Sequence, residues 1–154
     1  MTDDVESIET LEMPPGDSRE QREVEAVMVA ALSKQLGVEL APQRVPLDGG
    51  VRVELDAASD DLSVLVEVWA HQGPVKSGQR TKVLTDAFKL AFVGRELGGA
   101  RRLILLLSDD QAARKFAGGW PAAALRQSGI EIRVVELDDE TRNRVRAAQI
   151  RQRR

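Results

Sequence analysis

The chain has 154 residues, 42% hydrophobic and only 3% aromatic, with no cysteine, one histidine and a formal net charge of −3. That is room for one domain whose core is built from Leu, Val, Ile and Ala. It excludes disulfides, Cys-ligated zinc and any multi-His metal site within one chain, so a metal would be a hard cation held by carboxylates.

The acidic N-terminal stretch shows no signal-peptide pattern, and the longest apolar run, Leu103 to Leu107, is five residues, too short for a bilayer. The expectation is a cytoplasmic protein with no membrane partner. Charge is uneven along the chain. Residues 1–23 carry eight acids against Arg19 and Arg22, while the last thirteen residues carry six arginines (142, 144, 146, 151, 153 and 154) and no acid. The basic end reads as a solvated helix terminus that suits the helix dipole, or as a source of phosphate contacts.

Residues 1–17 read as a disordered acidic leader, 18–150 as a single α/β domain and 151–154 as a basic tail. Ser18 and Gln21 form a capping-box pattern, followed by Val24, Val27, Met28, Ala31, Leu32 and Leu36 at helical spacing and a stop at Gly37. Val38 to Val45, broken by Pro42, reads as an edge strand. Val51 to Asp56 alternates with period two, and Leu62 to Trp69 is a second apolar strand, so together they predict a β-hairpin. A helix follows over Ser77 to Leu97, then a strand at Arg102 to Leu107 covered on both faces. Asp109 or Asp110 caps a helix interrupted at Gly118-Gly119-Trp120-Pro121, where Trp120 reads as a packing plug rather than a base-stacking platform. Ile130 to Leu137 is the last strand and Asp138-Asp139 caps a final helix. The order α-β-β-β-α-β-α-β-α predicts an α/β fold with a mixed sheet flanked by helices, antiparallel in front and parallel behind.

No glycine-rich phosphate loop, GxSxG elbow or cysteine nucleophile is present. The hairpin carries the first candidate chemistry. Asp56 and Glu67 are eleven residues apart on adjacent strands, and cross-strand carboxylates about 5 Å apart can share a divalent ion. Glu67 interrupts an apolar strand, where a charge is costly to bury unless it is paired or bound to metal. The bland alternative is a solvent-facing hairpin acid. Glu25 sits at the edge of the first helix's apolar face. On the helix after the hairpin, Gln79, Lys82, Asp86 and Lys89 fall on one stripe, which also reads as a solvated face with local ion pairs. His71 lies just after the Glu67 strand, as a rim residue or a plain turn residue.

A helix bearing Glu25, a hairpin bearing Asp56 and Glu67, and a helix with a Gln-x-x-Lys stretch together resemble the PD-(D/E)XK nuclease superfamily over residues 18–108. The resemblance implies a restriction endonuclease-like core, Mg²⁺ or Mn²⁺ held by Asp56 and Glu67 with Glu25 as accessory acid, and hydrolysis of DNA or RNA. The sequence departs from that pattern where it matters most. Trp69 occupies the slot of the motif lysine, and Leu55 rather than proline precedes Asp56, with Glu54 as an alternative first acid. In some members the following helix supplies the lysine, which implies Lys82, with Lys76 second, and Gln79 then matches the helix glutamine. Two further readings stay open: a catalytically inactive relative that binds nucleic acid or protein, and a structural adaptor. A chain of this size would often act as a homodimer or with a protein partner.

Overall fold

A computed structural model of the chain describes residues 15–73 and 75–152. In order, the elements are α1 (Pro15–Leu36), β1 (Ala41–Pro46), β2 (Arg52–Ala58), β3 (Val64–Trp69), α2 (Ser77–Leu97), β4 (Arg102–Leu107), α3 (Asp110–Lys115), α4 (Gly119–Gln127), β5 (Ile130–Val134) and α5 (Asp139–Gln152). The five strands form one mixed sheet in the order β1-β2-β3-β4-β5. The β1/β2 and β2/β3 pairs are antiparallel, and the β3/β4 and β4/β5 pairs are parallel. The α/β class, the mixed sheet and the element order follow the sequence expectation.

Several boundaries differ. Helix α1 begins at Pro15, so Ser18 lies inside it rather than capping it. A proline is well placed in a first helical turn, where its missing N–H leaves no bond unmade. Of the expected leader, residues 1–14 lie outside the described residues, and Pro15 to Asp17 belong to α1. Of the expected tail, Arg153 and Arg154 also lie outside them. The Gly-Gly-Trp-Pro interruption divides one expected helix into α3 and α4, with Gly119 at a φ of 72°.

Two apolar layers cover the sheet. On one face Leu55, Leu65, Trp69, Leu103, Leu105 and Leu107 meet Val83, Ala87, Leu90 and Val93 of α2, with α3 and α4 completing the layer. On the other face Val64, Val66, Val68, Ile104 and Leu106 meet Val24, Met28 and Leu32 of α1 and Val145 of α5. Strands β3 and β4 are thus buried on both sides, which explains their near-continuous apolar sequences. Among the described residues, no helix is long and apolar enough to cross a membrane.

The arginine-rich end is not a bare cationic terminus. Helix α5 lies against α1, with Arg144 donating to Glu23 at 2.7 Å and Arg151 paired with Glu20. The Arg144 guanidinium holds the Glu23 carboxyl below its ordinary range. Glu20 and Glu23 thus neutralise Arg151 and Arg144 along one seam between the two helices.

Candidate functional site

The site begins with an irregularity in β2. Ala41 pairs with Ala58 and Gln43 with Leu55, so two steps along β1 match three along β2. The extra residue is a β-bulge in the segment containing Asp56, a device that re-aims side chains. It lets Leu55 and Ala58 face the same apolar layer although three residues apart. Pro42 of the edge strand sits opposite, where its missing N–H is tolerated. Gln43 Nε2 spans the irregularity by donating to the carbonyls of Ala58 and Ser59, at 3.4 and 3.0 Å.

The next irregularity lies between β2 and β3. Only Ala57↔Val66 and Ala58↔Leu65 pair as a regular ladder, next to a turn tied by Asp61, whose Oδ1 accepts from the Ser59 and Ser63 hydroxyls and the Ser63 N–H. Beyond that short ladder, carboxylates replace the backbone bonds. The Asp56 N–H donates to Glu67 Oε2 at 3.0 Å, and the Val68 N–H donates to Asp56 Oδ2 at 2.8 Å. Each acid satisfies a backbone donor at the open end of the hairpin, which a buried N–H requires.

Glu67 occupies the row Leu65-Glu67-Trp69 that faces α2, and only 2% of it is exposed. Its second oxygen, Oε1, forms an ion pair with Lys89 of α2, a side chain 34% exposed. Burial is the main cause raising the Glu67 carboxyl, to about 8; the negative charge of Asp56 adds to it, and the Lys89 ammonium opposes it. Two more acids share this environment. Burial, then Asp56, raises Glu25 of α1, opposed by a hydrogen bond from Gln21 and the charge of Lys82. Burial, then Asp56, also raises Asp86 of α2, opposed by Lys82 and Lys89. Asp56 is the hub whose charge reaches Glu25, Glu67 and Asp86. From the α1 side it borders a cleft of about 770 Å³ that also includes Glu25, Val29, Ser33, Leu40 and Pro42.

The expected residues therefore divide into two groups. Asp56 meets Glu67 through hydrogen bonds and Glu25 across the α1-side cleft, and Asp86 and Lys89 turn toward this cluster while Lys82 stays exposed. The cation that meets Glu67 is Lys89, not Lys82, which is exposed and makes no ion pair among the described residues. Seven residues of helix rise separate the two lysines by about 10 Å. Lys76 lies at the N-terminus of α2, where its backbone N–H donates to Gln79 Oε1 at 3.0 Å. The other end of the Gln79 amide lies 3.3 Å from His71 Nδ1, so both ends of Gln79 are engaged away from the carboxylates. Glu54, the alternative first acid, faces outward and pairs with Arg44 at 2.8 Å.

His71 is fixed as part of a clamp. Its ring stacks on Trp69, with centroids 4.7 Å apart and planes within 10°. The loop around it is held by Ser108 Oγ donating to the His71 carbonyl and by the buried Gln72 donating to Ser108. Trp69, in the lysine slot of the resembled motif, is thus a core residue roofed by His71. Trp120 departs from its expected role as a plug: it is 67% exposed, with the Arg80 guanidinium 5.7 Å from its ring centroid.

The donor set at the open hairpin is all oxygen, which suits Mg²⁺ or Mn²⁺, and the mutual repulsion of its acids is what a divalent cation relieves. Among the described residues, however, no three His, Cys, Asp or Glu side chains stand together as a ligand set. Lys89 supplies the positive charge on Glu67 instead. A cation entering this cluster would compete with Lys89 for Glu67. Compared with known proteins, the chain matches no family model, no curated protein and no solved structure.

Proposed function

We propose that the chain hydrolyses phosphodiester bonds in nucleic acid, on a restriction endonuclease-like core of the PD-(D/E)XK type whose motif lysine comes from the following helix as Lys89. The observation that carries this reading is Glu67, a carboxylate placed in an otherwise apolar buried row and bridged to both the Asp56 backbone and the Lys89 ammonium. A structural role alone would be filled more stably by an apolar residue, because a buried ion pair recovers little more than its desolvation penalty. Buried titratable groups whose ionisation is shifted by one another are a recurrent feature of reaction centres.

In this reading Asp56 and Glu67, with Glu25 as accessory, would hold Mg²⁺ or Mn²⁺, and the ion would acidify water and neutralise phosphate charge. Lys89 places a positive charge beside the reacting phosphate, stabilising negative charge as it develops. Lys82, exposed one side of the cluster, attracts the phosphate backbone, and Asp56 keeps Glu67 oriented through its backbone N–H. Gln79 holds the start of α2 and His71 in place rather than orienting water.

A specific observation favours the rival reading of an inactive binding module: both Glu67 oxygens already have partners, and among the described residues no three-carboxylate set stands ready. Labelled single- and double-stranded DNA and RNA incubated with Mg²⁺ or Mn²⁺ separate the two. Cleavage by the wild type, falling roughly a hundredfold or more in Glu67→Gln and in Lys89→Met, is the expected result. Binding without cleavage under every metal condition would establish the inactive module, and undiminished cleavage by Glu67→Gln would remove this site from the chemistry.

A further inference from the structure

The outer face of α2, away from the carboxylates, holds a second feature. The chain has only five aromatic residues, two Trp and three Phe, and three of them are exposed: Phe88 by 78%, Phe92 by 40% and Trp120 by 67%. Phe88 and Phe92 are one helical turn apart, and Phe88 shares with Trp120 a surface hollow of about 620 Å³. Leu84 and Arg80 line the same hollow, with Thr81, Thr85 and Ser77, so its lining contains one cation and no carboxylate. Arg80 lies over the Trp120 ring, and Arg95, exposed at the far end of α2, falls on the same helical arc as Phe88 and Phe92.

We infer that this face binds single-stranded nucleic acid, with unpaired bases stacking on Phe88 and Trp120 and phosphates meeting Arg80 and Arg95. Three observations favour that occupant. A protein that builds its core almost entirely from aliphatic side chains leaves most of its aromatic rings in water, on one surface. Flat rings with an arginine beside them suit bases, because every base offers a π-face and stacking tolerates any sequence. The hollow between Phe88 and Trp120 is lined by Arg80 and no carboxylate, which complements a polyanion, and Arg95 adds a second cation beside the exposed Glu96.

A two-fold antiparallel pairing of α2 centred on Phe88 would set Arg80 of one copy against Glu96 of the other, so a second copy of the chain is the competing occupant that the oligomeric state tests.

This inference deepens the phosphodiesterase reading, and rests on it, by naming single strands as the class of nucleic acid delivered to the open hairpin. It is tested in EDTA, where cleavage plays no part, with fluorescein-labelled oligo(dT) and oligo(U) of fifteen nucleotides, a duplex of equal length, and the intrinsic fluorescence of Trp120. The expected result is saturable single-strand binding that quenches the exposed tryptophan, weakens as salt rises, and falls about tenfold in Phe88→Ala and again in Trp120→Ala. Ile150→Ala, which removes an exposed apolar side chain on α5, is expected to bind as the wild type does. No single-strand binding, or binding indifferent to Phe88→Ala and Trp120→Ala, overturns the inference. So does a concentration-dependent doubling of mass that Phe88→Ala abolishes without single-strand binding, because the face would then pair copies. Binding without metal-dependent cleavage would leave the inference standing while the hydrolytic reading fails, and cleavage of duplex without single-strand binding would do the reverse.

Discussion

The two ends of the β2–β3 hairpin are built on opposite principles. At the closed end, Ala57 and Ala58 pair with Val66 and Leu65, every apolar side chain is buried, and the turn acid Asp61 is solvated by hydroxyl and N–H donors that hold its carboxyl down at about 2. At the open end the ladder stops, two carboxylates take over the backbone N–H groups, and burial beside Asp56 drives Glu67 up to about 8. One hairpin thus shifts two acids in opposite directions. The closed end shows what a fold needs from this segment, and the open end exceeds it: acids are kept together where hydrocarbon would serve stability better.

The largest expected effect breaks the closed end. Leu65→Ala empties a fully buried site on β3 and should cost about 3 kcal/mol in urea unfolding, with the midpoint moving and the slope unchanged. A comparable loss from removing an open-end acid would erase the contrast. Next is the pH response. Glu67 binds its proton more tightly folded than unfolded, so from about 4.5 up to about 8 the unfolded chain loses that proton first and stability falls as pH rises. Glu25 and Asp86 are shifted in the same direction. Unfolding of Glu67→Gln should therefore show a flatter decline between pH 5 and pH 8 than the wild type, and an equally steep one would count against the shift. Lys89→Met should destabilise by about 1 kcal/mol at pH 8.5, where Glu67 is ionised, and by less at pH 5, where it is not; the figure is kept small because Lys89 is about a third exposed. The smallest effect belongs to Asp61. Its lowered carboxyl contributes stability above pH 4 that fades toward pH 2, so Asp61→Asn should differ from the wild type at neutral pH and converge with it in acid.

Much of this contrast is legible in the sequence, and the rest is lost for identifiable reasons. Alternation and apolar runs locate the strands, and the lone Glu67 in Val64 to Trp69 announces itself by the cost of burying it. The Gly98-Gly99 stop and the two-sided apolar run of β4 likewise position α2 against the sheet. The bulge at Asp56 leaves no clear trace, since one extra residue in a strand alters register without altering composition; Pro42 opposite it is the nearest signal. Which lysine reaches Glu67 is not legible in the sequence, for a geometric reason. Lys82 and Lys89 lie on one stripe, and the angle at which α2 crosses β3 selects between them. Gln79 is ambiguous in sequence because a helix-start glutamine that reaches back to Lys76 looks like a glutamine presented to a site. Trp120 misled in the opposite sense: large aromatics beside a helix break usually pack inward, and this one does not.

The account's central claim is that Glu67 is held for chemistry at the expense of stability. The measurement that meets it most directly is Glu67→Gln read twice in one preparation, by urea unfolding at pH 8 and by cleavage of oligonucleotides with Mn²⁺. The account predicts opposite signs, a protein at least as stable as the wild type that has lost its cleavage. A variant that is less stable yet cleaves as well as the wild type would contradict it.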